Sequence, residues 1–217
     1  MLENERKSML MQRRILGTLC ILLGPCSLLF GLFGLGTNYP NWYWSISDTY
    51  YANSRMFMMG LLFAISVFFF AYKGYDKHDR VVALIEAICA IIIVAFPCDP
   101  LQPEVTRTGL FNLPVKLSQI IHSSAAFVMF IAYGYNVLFL FTKNKGEKTA
   151  KKKLRNIIYI VSGIIIFICV VLQAVYVVNL LKIPESVPFT MINEIVMLFA
   201  FGVAYLIKSE ALKCFND

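Results

Sequence analysis

Few residues in this chain can do chemistry, and most of those few stand near one edge of its apolar stretches. His122, Glu194, Asp99 and Asp48 can exchange a proton, bind a cation or receive a hydroxyl, while Arg55 suits an anion. Gln173 and Asn193 add amide groups, and Ser118, Ser123 and Ser124 surround His122 with hydroxyls. A histidine beside a serine is the pairing of a base with a nucleophile, and Ser118 lies one helical turn from His122. No G-x-S-x-G elbow accompanies that pair. His122, Asp99 and Glu194 are acceptable metal ligands by type, but their spacing follows no metal motif. With only two histidines, a three-histidine zinc site is excluded. A retinal Schiff base is excluded too, because no lysine falls within an apolar stretch, and no glycine-rich phosphate loop is present. The residues call for no cofactor and no metal.

The elements that must position these groups are set by composition. Of 217 residues, 59% are hydrophobic and 15% charged, with a mean hydropathy of +0.68. Soluble domains carry about 45–50% apolar and about 25% charged residues. This balance excludes a soluble enzyme domain, a disordered tail and a nucleic-acid-binding arm. A spanning helix needs roughly 20 apolar residues to cross about 30 Å of hydrocarbon. Walking between charges gives six such stretches, 15–36, 56–72, 81–98, 117–142, 156–181 and 189–207, the second belonging to a helix expected at about 48–73. None alternates like a barrel strand. The expected fold is therefore all-α: a polytopic membrane protein, residues 1–217 forming one domain of six transmembrane helices. The first stretch is too long for a signal h-region, so it reads as a retained helix, with Pro25 expected to kink it.

Lysine and arginine give the orientation. Sixteen of them fall in the N-terminal tail, the 73–80 turn, the 143–155 loop and the C-terminal tail. Only Arg55, Arg107, Lys116 and Lys182 fall on the opposite side. Both termini are thus expected in the cytoplasm, with the chain in the plasma membrane. The asymmetry accounts for the net charge of +7 without a nucleic-acid partner. Membrane lipids are the expected partners, since seven cations within 143–155 attract anionic headgroups. Gly60 with Ala64 and Ala200 with Ala204 permit close helix contact, within the bundle or in a homo-oligomer. Tyr39, Trp42, Tyr43, Trp44, Tyr50 and Tyr51 are expected to form an outer aromatic belt. The six scattered cysteines read as small buried hydrophobes.

In this topology His122 and Glu194 lie about 8–9 Å below the outer edge, at 1.5 Å per residue. Asn193 and Gln173 share that level, and Asp99 stands at the rim. If a helix begins near Ser45-Ile46-Ser47-Asp48, then Asp48 and Arg55 fall on one stripe. These groups could meet in one outward-opening polar cavity, or each could form an ordinary interhelical hydrogen bond. Glu86 stands apart in the inner half, within reach of Tyr133 and Asn136. Its simplest reading is a carboxylate satisfied by water or lysine near its own cytoplasmic helix end.

Several segments together suggest a family: SISDTYY at 45–51, Arg55, the KGYDKHD turn, FPCDP closing the third helix, a histidine opening the fourth, and NEIVMLFAFGVAYLIKSE near the C-terminus. The chain resembles small bacterial six-helix membrane proteins grouped as a domain of unknown function. It is more distantly similar to DRAM/Sfk-type membrane proteins, which are associated with lipid handling and autophagy. The resemblance implies that Asp48, Arg55, Asp99, His122 and Glu194 are the positions to test, and it implies no reaction. The reading preferred on sequence is a non-enzymatic membrane protein whose cavity binds a lipid headgroup or small amphiphile. Arg55 would face an anionic group, and Asp48, Asp99 and Glu194 a cationic or hydroxyl-bearing one. Alternatives are a membrane-embedded hydrolase or transferase using His122 with Asp99 or Glu194, and a proton-coupled transporter relaying through Glu86 and Glu194.

Overall fold

Charged and turn residues divide the apolar sequence, and the divisions become helix ends in the computed structural model, which describes residues 3–33, 43–100, 104–143 and 149–215. The first helix, α1 (Glu3–Phe33), begins well before the apolar stretch that announced it. Its early residues are good helix formers, and Glu3 and Glu5 favour an N-terminal turn. Arg13 is drawn into the bundle and almost fully buried. It donates to the Tyr72 hydroxyl at 2.8 Å and the Tyr75 hydroxyl at 2.9 Å. The helix continues through Pro25.

The second stretch is not one helix. Ser47–Tyr51 forms a 3-10 turn, and α2 (Arg55–Ala71) starts only after a break. The break falls at Ala52, whose backbone turns extended (ψ 174°), while upstream the Asp48 carboxylate accepts the main-chain N–H groups of Trp44 at 2.9 Å and Ser45 at 2.8 Å, folding the 44–48 segment back on itself. Asp48 and Arg55 therefore do not share a helical stripe. Next, α3 (Lys77–Ala95) is capped by Asp76, which accepts from the Asp79 N–H at 3.0 Å. A two-residue antiparallel ladder, β1 (Arg107–Thr108) with β2 (Leu113–Pro114), precedes α4 (Val115–Tyr135). That helix runs into a π turn over Asn136–Leu140. The last two helices are α5 (Ala150–Val177), capped by Thr149, and α6 (Phe189–Lys208).

All six helices pack on their sequence neighbours, and α6 closes back onto α1 to complete a ring. Four of them are long and apolar enough to cross a membrane: α1 as far as Gly31, α4 with its π turn, α5 and α6. The shorter α2 is also apolar. Tyr133, Phe69, Phe201 and Tyr205 fill the middle, with Tyr133 stacked on Phe201 at 3.7 Å between ring centres. A Cβ at Gly202 would fall 2.7 Å from the Gly17 carbonyl, so two missing side chains let α1 and α6 touch. Ala200 and Ala204 are buried inside the ring, whereas Gly60 faces open space.

Glu86 corrects its simplest reading. It is fully buried, out of reach of bulk water, and Asn136 Nδ2 reaches its two carboxylate oxygens at 3.0 and 3.3 Å, with no lysine bonded to it among the described residues. The π turn begins at Asn136 itself. Cys20, Cys89, Cys98 and Cys169 are buried free thiols, while Cys214 is exposed.

Candidate functional site

One end of the ring, where the 43–54 segment, the end of α3 and the starts of α4 and α6 meet, encloses a cavity of about 620 Å³. Asp48, Asp99, His122, Gln173 and Glu194 all line it. Arg55 does not: it is exposed, lies over the Tyr50 ring at 4.7 Å and donates to the Tyr50 carbonyl. Asn193 is buried and turned toward α5, donating to the Cys169 carbonyl at 2.8 Å and to Gln173 Oε1 at 3.2 Å. Through that contact it fixes Gln173, whose own amide donates to the Thr190 hydroxyl at 3.0 Å.

Each lining group is held by a specific local device. The lone pairs of Asp48 serve the loop, since it also accepts from the Ser45 hydroxyl at 2.9 Å and has the Cys98 thiol at 3.8 Å. Glu194 Oε2 accepts the Ile46 N–H at 2.8 Å, pinning the loop onto α6, and no hydrogen bond holds its other oxygen among the described residues. The Asp99 side chain is exposed at the rim, while its N–H is held by Gln119 Oε1. Farther in, Phe130, Val170 and Met197 make the wall apolar, and Phe127 and Val177 stand exposed at its edge. No lysine or arginine lines the cavity among the described residues.

His122 is buried and bonded through both ring nitrogens. Nδ1 lies 2.7 Å from the Phe96 carbonyl, which can only accept, so Nδ1 carries a proton. Nε2 lies 2.9 Å from the Ser47 hydroxyl. In the neutral ring, Nε2 is then the acceptor and Ser47 the donor. The nearby serine on the same helix, Ser118, is occupied elsewhere, donating to the Pro97 carbonyl at 2.7 Å. Ser47 was not a sequence candidate; its only signal is membership of the Ser45-Ile46-Ser47-Asp48 turn, 75 residues before its partner. Among the described residues, no three His, Cys, Asp or Glu side chains gather as a metal centre.

Of the aromatic segment, Tyr39 and Trp42 lie outside the described residues. Tyr43 is buried, and Tyr51 donates to the Cys98 carbonyl at 2.6 Å, so these rings fasten the loop to the bundle. Trp44 is partly exposed and lines the cavity. No family model, curated protein or solved structure matches the chain.

Proposed function

We propose that the chain is a multi-pass plasma-membrane protein with six spanning helices and cytoplasmic termini. In this reading its outer-leaflet cavity receives the polar head of a cationic or hydroxyl-bearing amphiphile. The charge asymmetry along the sequence supports the orientation. It assigns the end bearing Arg6, Lys143 and Lys208 to the cytoplasm and the cavity to the other leaflet.

One observation carries the binding reading: Asp48, Asp99 and Glu194 line a space whose described walls hold no lysine or arginine. A head that donates hydrogen bonds or carries a positive charge finds acceptors there, and an anionic head finds repulsion. Arg55, exposed on Tyr50, leaves an anionic group without a partner in the cavity. The volume lies within the roughly 300–1,000 Å³ of small-molecule sites. Apolar walls below the carboxylates suit a hydrocarbon chain that continues toward the lipid.

Trp44 reports on the cavity it lines. In a Trp42→Phe background, a spin-labelled alkylammonium should quench Trp44 saturably, and an alkyl sulfate of equal chain length should not. Equal quenching by both amphiphiles, or quenching that never saturates, refutes the proposal.

A further inference from the structure

We infer that Ser47 is a nucleophile, with His122 as its base, toward the carbonyl carbon of an ester-bearing amphiphile held in the cavity. This rests on the amphiphile-binding reading and adds a reaction to it. Three observations carry it together. Ser47 Oγ and His122 Nε2 are 2.9 Å apart, within reach for proton transfer. The opposite ring nitrogen is held by the Phe96 carbonyl at 2.7 Å, which fixes the tautomer leaving the Nε2 lone pair on the serine. A base oriented by a third group and aimed at a hydroxyl is the arrangement that activates a serine. Finally, Ser47 lines both the large cavity and a second space of about 30 Å³ that Glu194 also borders. That second space has room for about one water molecule, with Ser47 and Glu194 its two polar side chains among nine apolar ones.

The step balances with water as the only co-reactant. Ser47 Oγ bonds to the ester carbonyl carbon as its proton passes to His122 Nε2. The bond from that carbon to the alkoxy oxygen breaks, and the departing alkoxide takes the proton from Nε2 and leaves as an alcohol. Water then attacks the acyl-serine, giving a proton to Nε2, and Ser47 Oγ departs with that proton as a carboxylic acid forms. No electron is gained or lost by the protein.

An alkyl fluorophosphonate, from which an activated serine displaces fluoride, tests this on the full chain in detergent. Peptide mass mapping of the wild-type protein should locate the adduct on Ser47, a reading that needs no variant. Ser47→Ala should carry no adduct, and His122→Asn should slow labelling at least about 100-fold, the lower range for a general base. Trp44 quenching by the alkylammonium, measured on Trp42→Phe protein treated with the fluorophosphonate in parallel, separates the two readings. Saturable quenching without an adduct overturns the nucleophile and leaves the binding site standing; absence of both overturns both. An adduct on another residue, or an unchanged rate in His122→Asn, also overturns the inference.

Discussion

The Glu194 carboxylate accepts the main-chain N–H of Ile46 at 2.8 Å, tying α6 to a loop far earlier in the chain. One oxygen thus does structural work while the side chain also lines the cavity. The two roles separate by substitution. Glu194→Gln keeps an acceptor for Ile46 and removes the ionisable carboxyl, so the melting temperature should hold while alkylammonium affinity falls about tenfold, or about 1.4 kcal/mol. Glu194→Ala also strands the Ile46 N–H, and should cost about 1–3 kcal/mol of stability. Thermal unfolding and Trp44 quenching on both variants check this.

Arg55 makes the opposite case. It is exposed on Tyr50 and contributes nothing to the cavity wall. Arg55→Ala should therefore leave alkylammonium binding within about twofold and stability within about 0.5 kcal/mol, as surface substitutions usually do. A tenfold loss of binding would place the guanidinium in the site.

These two residues show how far the sequence was readable. Periodicity and charge spacing located the helices, because apolar length between charges is a one-dimensional property. They also brought Asp99, His122, Gln173 and Glu194 to one end of the bundle, because position along a helix is residue count times rise. The direction of a side chain at a broken helix is not one-dimensional. The chain turns extended at Ala52, between Asp48 and Arg55, so Arg55 leaves the stripe that an unbroken helix would have given it. Ser47 was missed for the same reason: its partner is set by how the turn folds onto α4, not by any spacing along the chain.

Glu86 and Asn136 should behave as one unit. The carboxyl is fully buried, and the donors to it come from Asn136 Nδ2, which also donates to the Tyr205 hydroxyl at 3.1 Å. Asn136→Leu strands a buried carboxyl and should cost at least about 1–3 kcal/mol. Removing both polar groups, in Glu86→Leu with Asn136→Leu, should cost less than the sum of the single changes by about 0.5–3 kcal/mol. Thermal unfolding of the full cycle measures this, and additive losses would mean the contact contributes nothing.

At the other end of the bundle, Lys143 donates to Asp76 at 2.8 Å and to Asp79 at 3.3 Å. The lysine and the Asp79 N–H hold the Asp76 carboxyl down at about 2, below its ordinary 3.8. A carboxyl depressed on folding stabilises fully above its unfolded value, and that contribution fades as pH falls toward the folded one. The melting-temperature difference between wild type and Asp76→Asn should thus be constant from pH 7 to about 5 and close between about pH 4 and 2. Lys143→Ala should shift the closure upward. A difference unchanged down to pH 2 would remove the charge from the argument.

Two glycines should respond to alanine with opposite signs. At Gly202 a Cβ would stand 2.7 Å from the Gly17 carbonyl and 2.6 Å from Ile21 Cγ1, so α1 and α6 must separate to admit it. Backbone cannot rotate away as a side-chain end can, and overpacking of this kind costs about 1–3 kcal/mol. At Gly60 a Cβ meets nothing within 4 Å, and only helix propensity acts, favouring alanine by about 0.8–1.0 kcal/mol. Gly202→Ala should therefore melt lower than wild type, and Gly60→Ala higher. If Gly60→Ala also melts lower, and the loss grows with protein concentration, then that open face of α2 is covered by a second copy of the chain, and the ring is not the whole packing unit.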